Sequence, residues 1–164
     1  MPASVSMFLC ESMFEDRCVS QQEALSLSRK LATQATYYQN REQVVEAEML
    51  FELAILIAER ADEVDQSHIA TCSHHLADIY SARSDFQQAL PLYARSIAIW
   101  ESSFGRDHKV VGLALHSYGE VLSHVGRQSE ADNVLVRARK ILGDLAGISA
   151  SQMAEGMTIT VHET

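Results

Sequence analysis

Displaced along itself by 42 residues, the sequence matches without a gap. Ala35, Ala77 and Gly119 fall in register, as do Ala47, Ala89 and Ala131, and again Ala54, Ser96 and Ala138. Large apolar side chains keep the same register at Tyr38, Tyr80 and Leu122, at Phe51, Tyr93 and Leu135, and at Ile57, Ile99 and Ile141. Small positions stay small and large positions stay large in all three copies. One supersecondary unit therefore recurs three times, and each copy must bury its apolar face against its neighbour.

Spacing within a copy identifies the unit. Ala77 and Tyr80 are i,i+3, and Ala89, Tyr93 and Ser96 are i, i+4 and i+7, so each set marks one face of a helix. A small residue belongs where two helices cross closely, with an aromatic or leucine filling the space beside it. Each copy reads as a helical hairpin, and 7 Gly with 2 Pro over 164 residues favour long helices over a many-stranded sheet. The pattern predicts helices over 21–40, 43–61, 67–82, 85–103, 108–124 and 128–145. Ser20 with Glu23 forms a capping box. Asp107 is an expected N-cap, and Gly105 and Gly147 stand where a left-handed C-cap wants glycine. Pro91 falls inside the fourth helix, where it removes a hydrogen bond at a cost of about 3 kcal/mol. The alignment of Phe86 and Ala89 with the other copies still requires the longer helix, with a kink expected near residue 87.

The segment HIATCSHHLADIYSARSDFQQALPLYARSIAIWESSFGRDH resembles the tetratricopeptide repeat in its 42-residue, kinesin-light-chain-like form. It has a helix ending in L-A-x-x-Y, a turn, A-x-x-L-Y-x-x-A and a Gly-x-Asp-His linker. That family often has Pro where Pro91 stands. The third copy is similar and supplies Gly126 at the turn, whereas the first has Glu42 there and no linker motif. The resemblance covers roughly residues 24 to 145, and no heptad coiled coil precedes the repeats. It implies an all-α, right-handed α-solenoid of three antiparallel helix pairs (about 24–63, 66–105 and 108–147, within a repeat region of 20–147) and a terminal capping helix.

The resemblance also implies a concave groove lined by the first helix of each pair. Transferred by register, that groove takes Arg29, Thr36, Gln39 and Asn40 from the first copy, Thr71, His74, Asp78 and Ser81 from the second, and His116, Glu120, Ser123 and His124 from the third. The implied function is an interaction scaffold or adaptor that binds a peptide or helix of a protein partner. The Lys/Asn pattern with which some relatives clamp a terminal carboxylate is missing, and His74 and His75 stand where kinesin light chains commonly carry an Asn pair.

Two alternatives come from the residues themselves. The apolar side chains Val5, Met7, Phe8, Leu9, Met13 and Phe14 in segment 1–19 would support self-assembly, although capping of the first repeat is the expectation because solenoid ends need cover. His116, Glu120 and His124 recur at i, i+4 and i+8, with His74 and Asp78 on the neighbouring helix, a set that could make a metal- or ligand-responsive regulator. The plainer account is a row of polar groove residues, and no metal or cofactor is expected. No nucleophile elbow, HExxH, P-loop or GxGxxG occurs, so no catalytic role is expected. Gly105, Gly112, Gly119 and Gly126, spaced by sevens, suggest a stripe of close helix approach. Cys72 is expected to be buried, and Trp100 to make an inter-repeat contact.

A net charge of −9 argues against nucleic acid or an anionic membrane as partner. Three cysteines without a CxxC, together with an N-terminus that lacks a basic leader, point to a reducing, cytoplasmic setting. In the tail 148–164, Ser149 with Gln152 is expected to open a short helix, and the last eight residues alternate like a strand.

Overall fold

The helical spacing is realised as six α-helices in a computed structural model, which describes the backbone of residues 21–61 and 65–155 and the side chains of 22–61 and 65–143. They are α1 (Gln21–Gln39), α2 (Val44–Arg60), α3 (Gln66–Ala82), α4 (Phe86–Phe104), α5 (Lys109–His124) and α6 (Gln128–Glu155). Five of the six expected helices agree with these bounds to within one residue at each end. The N-terminal segment 1–19, the Ser20 half of the capping box and the alternating residues 157–164 lie outside the described residues.

Helices pair as α1 with α2, α3 with α4 and α5 with α6, and successive pairs stack. The repeated small residues sit at the crossings: Ala35, Ala77, Ala47, Ala89, Ala131, Ala54, Ser96 and Ala138 are all fully buried. At Gly119, a methyl group would lie only 2.7 Å from Leu135 Cδ2, so the third copy crosses more closely than an alanine permits without a shift. The large partners complete the layers, with Phe51 and Tyr93 almost wholly buried. Trp100 packs with Ala70, Val111, Ala114, Leu115 and Ala138, joining the second and third hairpins as expected.

The three hairpin turns share one geometry. Residues Glu42, Ser84 and Gly126, again 42 apart, all have positive φ, at 62°, 61° and 79°. The next N–H reaches back across each turn: Gln43 donates to Tyr38 O, Asp85 to Tyr80 O and Arg127 to Leu122 O, at 3.0, 2.8 and 3.0 Å. This is the six-to-one bond of a Schellman C-cap, whose left-handed residue is usually glycine. Two copies hold that conformation with an L side chain, which costs about 1–2 kcal/mol relative to a residue without Cβ. Glycine gives back part of that through its freer unfolded chain. Glu42→Gly and Ser84→Gly are each expected to raise the unfolding free energy by about 0.5–1 kcal/mol, read as a higher urea midpoint at unchanged slope.

Four sequence expectations are corrected. Asp107 is not the N-cap of α5: His108 is, and its Nδ1 accepts from Val110 N–H at 3.3 Å. Gly147 does not end the last helix, because α6 continues to Glu155. For the same reason Ser149 and Gln152 do not open a separate capping helix. Of the four glycines spaced by sevens, only Gly112 and Gly119 lie at a close approach, while Gly105 and Gly126 have nothing near them and serve backbone turns. Pro91 stands at the sixth position of a continuous α4.

Candidate functional site

The stacking has an inner and an outer side. Among the described residues, α1 approaches α3 and α3 approaches α5, with Cα atoms within 8 Å, whereas α2, α4 and α6 do not come this close to one another. A stack tight along its first helices and splayed along its second helices curves toward the first, so α1, α3 and α5 face a hollow. Long side chains bridge the open outer side. Arg95 on α4 pairs with Glu59 on α2, and Arg137 on α6 pairs with Glu101 on α4 at 2.6 Å. The two bridges are themselves 42 residues apart in both partners.

A cavity of about 290 Å³ opens between α1 and α3, lined by Arg29, Ala32, Thr33, Thr36, Phe51, His68, Thr71, Cys72 and His75. Arg29 closes its edge through a 2.8 Å ion pair with Asp65, and this hydrogen-bonded guanidinium holds the Asp65 carboxyl below the usual range. Asp65 also caps α3 by accepting from His68 N–H at 3.1 Å. Behind the cavity, the buried Ser28 Oγ donates to Ala54 O at 2.7 Å. Its only proton is thereby committed, so its 2.8 Å contact with His68 Nε2 must be donated by the imidazole. Cys72 Sγ lies 3.7 Å from the same nitrogen. Burial pushes the Cys72 thiol up to about 12, so it is an inert core thiol as the sequence suggested.

The groove residues inferred from the sequence divide into two groups. Arg29, Asn40, Thr71, His116, Glu120 and His124 are exposed, and Thr36, Gln39, Ser81 and Ser123 are half-exposed. His116 lies 3.7 Å from Glu120 across one turn, and His124 stacks on Phe86 with ring centroids 5.3 Å apart. His74 and Asp78 do not stand free in the hollow. The His74 side chain is 18% exposed and packs against Tyr93 and Trp100, at 5.3 and 5.2 Å. Asp78 accepts from Tyr93 Oη at 2.6 Å and sits 3.8 Å from His74 Nε2. Burial, and then the Asp78 bond, push the Tyr93 phenol up, so it stays a donor. This pair is a strut between α3 and α4. The proposed histidine cluster is therefore divided, and among the described residues no group of three His, Cys, Asp or Glu side chains could hold a metal ion.

Sequence reasoning missed Leu113, an apolar residue 48% exposed on α5. It stands 42 residues after Thr71 and 84 after Arg29, so the same displacement that found those two would have found it. His75, noted in the sequence only beside His74, stacks on Phe51 at 5.3 Å and 9° and lines the cavity.

A family model described as tetratricopeptide repeat matches residues 22–99 and again 69–144. No curated protein matches the chain. Among solved structures, a candidate kinesin light chain of Podosopora anserina with nearly identical TPR-like repeats is 24% identical, with TM-score 0.58, over 73% of this chain and 57% of that one. A single-residue variant of that protein gives 21% identity and TM-score 0.61 over 80% and 62% of the two chains. BtubC (BKLC) from P. vanneervenii gives 16% identity and TM-score 0.63 over 88% and 56%. The chain thus spans less than two thirds of the length of these structures, and at such identities the likeness is one of fold.

Proposed function

The chain belongs to the tetratricopeptide-repeat family, with kinesin-light-chain-like repeats, and from that premise we propose that its hollow face binds a peptide or helix of a protein partner. The family is a protein–protein interaction scaffold in general, and the reading for this chain is a non-catalytic adaptor in the cytoplasm. The observation that carries it is the row of exposed side chains at equivalent positions of α1, α3 and α5, ending on the apolar Leu113 and joined by the cavity beside Thr71. An extended or helical segment laid across three stacked helices meets one cluster from each, and the exposed leucine gives it an apolar anchor. The negative net charge supports a protein partner over nucleic acid or an anionic membrane. No helix among the described residues is long and apolar enough to cross a membrane.

The variant that tests this leaves the His74–Asp78–Tyr93 strut intact. Leu113→Asp combined with His116→Ala and Glu120→Ala alters only exposed side chains. Partners recovered by affinity capture on the wild type are expected to bind this variant at least about tenfold more weakly, since the central anchors of an interface carry most of its energy. Undiminished recovery by a variant with unchanged thermal stability would show that the hollow face is not the binding face.

A further inference from the structure

The first repeat differs from the others along one edge of α2. Val45, Met49, Leu53 and Leu56 lie at i, i+4, i+8 and i+11, one stripe of a helix. Val45 and Met49 are 63% and 53% exposed. The 42-residue register shows what this stripe replaces. The equivalents of Val45 are Gln87 and Ser129, those of Met49 are Pro91 and Asn133, and those of Leu56 are Ala98 and Lys140. The equivalents of Leu53 are Arg95 and Arg137, the two arginines that reach back to a glutamate of the preceding repeat. In α2 the equivalent position is Leu53, within an apolar stripe.

We propose that residues 1–19 of the same chain lie along this stripe and cover it. The segment carries the apolar side chains the stripe needs, at Val5, Met7, Phe8, Leu9, Met13 and Phe14. Its attachment point is close by, because Ala24 in the first turns of α1 packs on Ile57, in one cluster with Leu53 and Leu56. From Ile57 back to Val45 is 12 residues of helix, about 18 Å at 1.5 Å per residue. About 12 residues can run that length if helical and fewer if extended, so the segment has chain to spare. A second copy of the protein is the less suitable cover. The segment is joined to α1 beside the stripe and so has a high effective concentration there, whereas a second copy must associate from solution. The proposal is independent of the groove reading.

The full-length protein with Met49→Cys provides the test. Native Cys10 and Cys18 lie in the covering segment, while Cys72 is buried and unreactive. Under mild oxidation at micromolar protein, the expected product is an intrachain disulfide between the introduced thiol and Cys10 or Cys18, identified by peptide mapping. Its yield should not depend on protein concentration. Adding Phe8→Asp and Phe14→Asp should slow its formation at least about tenfold and raise alkylation of the introduced thiol by a similar factor. The proposal is overturned by an interchain cross-link that grows with concentration, which would identify a second copy. It is equally overturned by an intrachain cross-link unaffected by the two phenylalanine changes, or by a thiol alkylated as fast as a freely exposed one.

Discussion

Phe51→Ala is expected to lower the unfolding free energy by about 3–5 kcal/mol, the range for truncating a fully buried phenylalanine. The ring is 1% exposed and packs in one cluster with Ala35, Ala47, Ala54, Ile69 and Leu76. It also stacks on His75 of α3, so it joins the first two repeats. Alanine cannot fill that space, because the surrounding small residues sit where helix backbones already touch. A domain of this size has only about 5–15 kcal/mol in total, and a three-repeat stack is near the minimum that holds together. Urea denaturation followed by circular dichroism measures the loss, and hydrogen exchange should show amides of α1 and α2 opening before those of α5. A loss below about 1 kcal/mol would mean that the first repeat is not docked as described.

Acidification is the second large expected effect. His68, His74 and His75 all lie on α3, and burial is the leading cause that depresses the pKa of each below its usual 6.5. Opposing charges offset this only in part: Asp65 raises His68 while Arg29 lowers it, and Asp78 raises His74 and His75. The unfolded chain takes up protons near pH 6.5, and the folded chain does so only at lower pH. Stability is therefore fullest above pH 7, falls as pH drops through 6.5, and stops falling on this account once the depressed folded values are passed. Asp65, held low by Arg29, adds a further loss only below its ordinary 3.8. Melting temperatures recorded from pH 7.5 to 5.0 should decline steadily, and His75→Phe should make the decline shallower. A flat profile over that range would show that these imidazoles are not buried neutral.

Much of this architecture was legible because the repeat constrains it three times over. The matched small and large positions recur in three copies and fix the helix faces, so α1 to α5 could be placed almost to the residue. The end of α6 had no later copy to constrain it, and Gly147 read as a stop on analogy with Gly105 alone. The site was less legible. Register says which positions line the first helices, but not how far a side chain leans toward the second. His74 shares its register with the exposed His116, yet it turns inward because Tyr93 and Trp100 offer it a ring-lined space and Asp78 a charge. In the third repeat, the residues equivalent to Tyr93 and Trp100 are Leu135 and Leu142, and His116 stays at the surface. Leu113 was hidden for a different reason: an exposed leucine is ordinary in a sequence until the curvature places its helix on the hollow side.

The two arginine bridges on the outer side also govern how the arc deforms. Solvent-accessible ion pairs of this kind contribute roughly 1 kcal/mol each at most, and among the described residues the Cα atoms of the second helices stay more than 8 Å apart. Opening or closing the hollow strains these two clasps together with the packing that joins the repeats, Phe51 on His75 and Trp100 against Ala70, Val111 and Ala138. The resting width of the hollow should relax with rising ionic strength as the clasps are screened.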